Sequence, residues 1–182
     1  MTIVTITAGH GAGDPGAVNG HITEANIATD MRNMITLYLE RRGITVRNDG
    51  QGSENQSLRQ AIRLIKDSDL AIELHCNAFS NARAGGVEAL AQAKDKAICR
   101  KLCEAVSDVM GIAVRGNEGG FKSEGSGQHS RLGYVRAGGV ILELFFISNP
   151  SELATYQAKK WLIARELADV IADHVGVKSC VS

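Results

Sequence analysis

Three polar residues stand where the surrounding pattern asks for apolar ones. His10 comes directly off the β-branched run Ile3–Thr7 and opens HGAGDPGAVNG, residues 10–20, a stretch with four glycines and little to pack. His75 lies near the end of LAIELHCNA, residues 70–78, and Glu143 interrupts VILELFF. Two imidazoles and a carboxylate form a set that holds catalytic zinc, which takes three protein ligands and keeps a fourth position for water. Glu24, at the start of the first helical segment, reads as the third ligand beside His10 and His75. His21, three residues earlier in HITE, competes for that place and reads as a loop residue. Zinc lowers the pKa of coordinated water from 15.7 to about 7. A carboxylate beside it, Glu143, would take the proton and pass it to a leaving amine. Burying a carboxylate without a partner is costly, and burial should raise the Glu143 pKa toward a useful range. The glycines of residues 10–20 read as a way to let substrate approach the metal closely.

These side chains need elements to bring them together. Residues 3–8 read as a strand. Residues 24–42 read as a helix, with Ile27, Ala28, Met31, Met34, Ile35, Tyr38 and Leu39 on one face and Gly43 at its end. Residues 44–48 form a second strand, and residues 57–67 a short amphipathic helix through Leu58, Ala61, Ile62 and Ile65. Residues 70–78 are nearly continuous in apolar types, as a central strand should be. A strand at 86–91, a helix at 95–110 stopped by Gly111, and a buried strand at 139–148 follow. The last helix, about 151–175, opens at Asn149-Pro150-Ser151 with Glu152 in its first turn. This alternation predicts one α/β domain with a largely parallel sheet and helices on both faces. In such sheets sites form beyond the carboxyl ends of the strands, which would bring His10, His75 and Glu24 to one edge. Residues 111–139 hold nine of the twenty glycines. They read as a long loop that rims the site, with room for one short strand.

Composition narrows the function classes. The chain has 182 residues, 44% of them apolar, enough for one core of ordinary size. Lysine plus arginine equals aspartate plus glutamate at 20 each, so the charge footprint of a nucleic-acid binder is missing. No apolar run approaches the ~18 residues of a membrane span. The opening MTIVTITAGHG lacks the basic start of a secretory signal, so synthesis in the cytoplasm is expected. Cys76, Cys99, Cys103 and Cys180 show neither CxxC spacing nor a disulfide framework. Cys99 and Cys103, four apart on a helix, read as small buried apolar groups rather than ligands.

Taken together, TAGHGAGDPGAVNGHITEANIA, ELHCNA and VILELFFISNP resemble the zinc-dependent N-acetylmuramoyl-L-alanine amidases of the amidase-3 type, from residue 5 to the final helix. The resemblance implies a six-stranded mixed, mostly parallel sheet flanked by helices on both faces. It implies one zinc ion on His10, Glu24 and His75, with Glu143 as the catalytic carboxylate. The reaction would be hydrolysis of the amide between N-acetylmuramic acid and L-alanine of the peptidoglycan stem peptide. Asn77, His129 and Arg131 are candidate substrate contacts, with a solvent-facing position the favoured alternative for His129. Peptidoglycan is the implied partner, without nucleic acid and without stable membrane insertion. Residues 1–182 are expected to be a single catalytic domain with no separate cell-wall-binding domain. That points to a phage endolysin, made in the cytoplasm and acting on the cell wall in the periplasm after release. Two alternatives share the site: a zinc peptidase cutting within the stem peptide, and a peptidoglycan-binding module that keeps the metal but not catalysis. Glu73, two residues before His75 and on the same strand face, is either a partner for an imidazole N–H or a buried salt-bridge member. Leu144 and Phe145 follow Glu143 where the family commonly has a small residue, often glycine. This departure is expected to narrow the pocket or shift the strand.

Overall fold

Alternation along the first strand separates two environments. In β1 (Ile3–Ala8) the side chains of Val4, Ile6 and Ala8 enter a large aliphatic core, while Thr5 and Thr7 face the other way. The computed structural model describes residues 1–126 and 132–177. After β1 come β2 (Val18–Asn19), β3 (Ile22–Thr23), α1 (Glu24–Glu40), β4 (Thr45–Asn48), α2 (Leu58–Leu64), β5 (Leu70–Asn77) and β6 (Glu88–Leu90). Then follow α3 (Lys96–Met110), β7 (Phe121–Lys122), α4 (Gly133–Arg136), β8 (Val140–Phe146) and α5 (Pro150–His174).

Six strands make one sheet in the order β4-β1-β5-β8-β6-β7. Pairs from β4 to β8 are parallel, β6 runs antiparallel to β8, and β7 is parallel to β6. The architecture is therefore α/β with a mixed, mostly parallel sheet. Helices α1, α3 and α5 pack on one face, against Ile72, Leu74, Leu142 and Leu144 among others. Helices α2 and α4 cover part of the other face through a small cluster that includes Ala61, Ala71, Tyr134 and Ile141. Among the described residues no helix is long and apolar enough to cross a membrane.

Local chemistry explains where the long helices start and stop. Thr23 caps α1 by accepting the Asn26 amide at 3.2 Å, and Asn149 caps α5 by accepting the amides of Ser151 and Glu152. Gly111 ends α3 in the left-handed conformation, φ 70°. Helix α2 stops at Leu64, short of the expected residue 67; the chain turns there, with Asp67 at φ 62°, and Thr5 and Arg47 satisfy the Leu64 carbonyl while Arg47 also takes that of Lys66. The glycine-rich segment contributes one short strand, β7, as expected, and also α4, which the pattern did not announce. The hairpin β2–β3 inside residues 18–23 was likewise absent from the sequence reading.

Beneath the end of β1 lies an ion pair with both side chains fully buried: Arg32 Nη1 to Asp49 Oδ1, 3.1 Å. Burial pushes the Asp49 carboxyl above its ordinary range even with the guanidinium beside it. The pair is held by further bonds. Asp49 accepts the Ala8 amide, and Arg32 donates to Asn55, Gly52 and Glu54. Removing one partner of a buried pair leaves the other charge uncompensated, at a cost of about 3–5 kcal/mol. Arg32→Met is expected to lower the unfolding free energy by about that amount in urea denaturation; a loss under 1 kcal/mol would show that Asp49 does not depend on the guanidinium.

Candidate active and metal site

The site grows from three strand ends and one helix start. Strand β1 ends at Ala8, and the chain then turns through Gly9 into His10, which adopts φ 65°. A left-handed histidine is strained and needs support. Asn55 supplies it, donating through Nδ2 to the carbonyls of both Ala8 and His10 while its Oδ1 accepts from Arg32. On β5, next to β1, His75 points away from the large core. It lies in register with Glu143 on β8, and Glu143 in turn faces Glu88 on β6. A polar row, His75–Glu143–Glu88, thus crosses the sheet on its thinly covered face.

Glu24, the first residue of α1, enters this row from the loop. Its Oε2 stands 3.0 Å from His10 Nε2 and its Oε1 3.0 Å from His75 Nδ1. The same carboxylate accepts the amides of Ala17 and Cys76. The two rings meet edge to face, 5.0 Å between centroids. One ligand atom from each of His10, Glu24 and His75 lies within 4.8 Å of the others. Behind the rings stand two more acids: Asp14 at 2.9 Å from His10 Nδ1 and Glu73 at 3.2 Å from His75 Nε2.

Electrostatics makes this a site that attracts positive charge. Burial opposes ionisation of Glu24, but its hydrogen bonds with His10 and His75 outweigh that and hold the carboxyl well below the usual range. Burial disfavours the His75 cation as well, yet Glu24 and Glu73 at its two nitrogens raise it well above its ordinary value. His10 is raised by Glu24, against burial and with help from Asp14. Burial pushes Glu143 to about 7; His75 pulls it down, while Glu24 and Glu88 add to the rise. Glu143 Oε2 has no hydrogen-bond partner among the described residues. An orphaned, buried carboxylate oxygen beside two imidazoles and a carboxylate fits a divalent cation with substrate above it, because both would supply what the side chains lack.

The placement of the sequence candidates follows. His10, Glu24 and His75 converge, and Glu143 lines the same cavity of about 320 Å³. Asn77 lines it too and donates to Glu88 at 3.0 Å. A second cavity of about 420 Å³ adjoins on the far side of the rings, where Glu73 and Tyr134 contribute to its wall. His21 lies elsewhere, in a pocket with Asn26 and Lys160. His129 and Arg131 lie outside the described residues. Leu144 and Phe145 do not line either cavity. The β5–β8 register slips between His75 and Asn77, and the Leu144 and Phe145 side chains both enter the helix-side core, with Phe145 stacked 4.9 Å from Tyr156. An irregularity of this kind lets two consecutive residues face the same side of the sheet.

Several contributors were not singled out from the sequence. Asp14 backs His10. Glu88, in GVEALA, showed the same signal as Glu143, an acid in an apolar strand; it is held by Arg115 at 2.5 Å and Lys122 at 2.6 Å. Glu152, read as a helix-dipole residue, is buried and accepts the amides of Gly86 and Phe146, tying the loop before β6 to the end of β8. Gly9 and Gly16 make room for the protein's own side chains. A Cβ on Gly9 would run into the His75 ring, and one on Gly16 would lie 2.6 Å from His10 and 2.7 Å from Glu24.

Comparison with known proteins gives the family and the fold. Residues 4–173 match the N-acetylmuramoyl-L-alanine amidase family. A germination-specific N-acetylmuramoyl-L-alanine amidase of Bacillus subtilis strain 168 is 27% identical over 82% of this chain and 69% of its own. A solved structure assigned as an N-acetylmuramoyl-L-alanine amidase of Neisseria meningitidis is 49% identical, with TM-score 0.89 over 96% of both chains. The catalytic domain of CwlV, an N-acetylmuramoyl-L-alanine amidase of Bacillus (Paenibacillus) polymyxa var. colistinus, shares the fold at 23% identity, TM-score 0.84 over 98% of this chain and all (100%) of its own.

The glycine reading is open to test by unfolding. Gly9→Ala should destabilise by about 2–3 kcal/mol, because the His75 ring is pinned between two carboxylates and cannot move aside. Gly13→Ala, where a Cβ meets nothing but φ is +97°, should cost only about 1 kcal/mol. Equal losses in chemical denaturation would mean that the ring yields.

Proposed function

The chain belongs to the N-acetylmuramoyl-L-alanine amidase family, and from that membership we propose that it is a zinc-dependent hydrolase cleaving the amide between N-acetylmuramic acid and L-alanine of the peptidoglycan stem peptide. The observation that carries the reading is the Glu24 carboxylate standing 3.0 Å from an imidazole on each side, with the unpartnered oxygen of Glu143 over the same cavity. His10 through Nε2, His75 through Nδ1 and Glu24 would hold a single zinc ion. When bound, such an ion supplies Lewis acidity, polarising a carbonyl and acidifying water.

The chain's own residues do the rest. Burial raises the pKa of Glu143 to about 7 in the metal-free site, which makes it a stronger base than an exposed carboxylate. It takes a proton from the attacking water as the new C–O bond forms at the lactyl carbonyl. It returns that proton to the alanine nitrogen as the C–N bond breaks. The oxygen without a hydrogen-bond partner is the one free to do so. Asn77, on the cavity wall and fixed by Glu88, is suited to orient the peptide side of the substrate. Peptidoglycan is the substrate in this reading. The lytic, endolysin-like role and the action on the cell wall after release from the cytoplasm rest on the sequence resemblance alone.

Two variants separate the roles. Glu143→Ala should lower kcat by at least about 10²–10⁴-fold while keeping one equivalent of zinc and the wild-type unfolding temperature. His75→Ala should lose the zinc itself, measured by elemental analysis after dialysis. Equal loss of metal in both would remove Glu143 from its role. The bond is identified by mass spectrometry of digested peptidoglycan. Intact stem peptides with a free L-alanine amino group are expected; shortened peptides would point instead to a peptidase, and no product at all to a binding module.

A further inference from the structure

We infer that Glu73 is a positioning residue for the metal centre, acting through His75. The inference rests on the metal-binding reading above and adds a residue to it. His75 turns Nδ1 to Glu24 at 3.0 Å and Nε2 to Glu73 at 3.2 Å. An imidazole that ligates through one nitrogen carries its remaining proton on the other. Ligation through Nδ1 therefore requires a proton on Nε2, and a buried N–H requires an acceptor. Glu73 Oε2 is placed as that acceptor. A carboxylate behind a ligating imidazole fixes its tautomer and ring plane and makes the ligating nitrogen more basic.

The fold builds this contact rather than leaving it to a mobile surface pair. Glu73 and His75 are two residues apart on β5 and so share one face. Glu73 lies in register between Thr7 of β1 and Ile141 of β8, so strands flank it on both sides. Its side chain is 5% exposed. On its other side the His75 ring rests against Gly9, where no Cβ would fit. His10 has an analogous partner in Asp14, at 2.9 Å, but that side chain is 65% exposed. Water can replace an exposed acceptor and screens its charge. The two backing carboxylates are therefore unequal, and Glu73 carries the greater part.

The test is zinc affinity of the full-length chain, stripped of metal and titrated against a fluorescent chelator of known affinity. Circular dichroism and thermal unfolding of the metal-free proteins run alongside. Glu73→Ala should bind zinc about 10–100-fold more weakly. Glu73→Gln, whose amide oxygen can accept the same N–H without the charge, should recover most of that loss and lie about 3–10-fold below wild type. It should keep the metal-free unfolding temperature of wild type, so the test stands even if Glu73→Ala fails to fold. Asp14→Asn should change affinity by less than about threefold. Wild-type affinity in both Glu73 variants overturns the inference. So does a loss of affinity in Glu73→Gln that comes with an equal drop in metal-free stability, since that is the mark of a merely structural salt bridge. Wild-type protein that takes up no zinc overturns the metal-binding reading itself, and this inference with it.

Discussion

A carboxylate buried between two imidazoles organises this end of the molecule. Glu24 has each oxygen 3.0 Å from a ring nitrogen, and it reaches them from a helix start while His10 and His75 come from two strands. Three segments far apart in the chain must therefore be held to within a few tenths of an ångström. Without positive charge between them the arrangement is costly, because Glu24, Glu73 and Glu143 crowd one small volume. The acids raise the pKa of both imidazoles, and a dication would answer the same charge with directed bonds. Burial accounts first for the high Glu143 pKa, and the two imidazoles for the low Glu24 pKa. One group has partners on both sides, and the other has an oxygen left bare.

Support for this arrangement comes from below and behind. The buried Arg32–Asp49 pair holds the end of β1 through the Ala8 amide, and Asn55 links Arg32 to the His10 carbonyl. Helix α1 thus carries a site residue at its first position and the brace for the opposing loop two turns later. The two sheet faces divide the labour. One is aliphatic throughout and packed by three long helices. The other is covered by α2 and α4 only over its first half, which leaves the row His75–Glu143–Glu88 at the mouth. A register slip after Glu143 lets two large residues pass into the core without intruding on that mouth.

Much of this could be read in the sequence, and the reasons for the rest are physical. The long helices and buried strands follow from apolar periodicity, so α1, α3, α5, β5 and β8 fall close to their expected limits. His10, His75 and Glu143 stood out because each breaks such a pattern. The hairpin at Val18–Thr23 and the four-residue α4 are too short to carry a period, and they are set by tertiary contacts such as Asn19 with the Ile147 carbonyl. Asp14, Asn55 and Asp49 lie in polar, turn-rich stretches where acids and amides are ordinary, so nothing local marked them. Glu88 could have been noticed by the rule that found Glu143. Gly16 makes room for His10 and Glu24, and glycine content alone cannot say whether the close neighbour is a substrate or a side chain of the same protein. Spacing placed Glu73 on the His75 face with two readings open, and choosing between them needs the ring orientation of His75, which no spacing rule provides.

The central claim is that His10, Glu24 and His75 together grip one metal ion. Crystals of the zinc-loaded protein, measured on both sides of the zinc absorption edge, test it most directly. The account predicts one strong anomalous peak about 2.0–2.2 Å from His10 Nε2, His75 Nδ1 and a Glu24 carboxylate oxygen. A zinc-loaded crystal whose peak lies on other side chains, such as His21, or which shows no peak between these three, would contradict it.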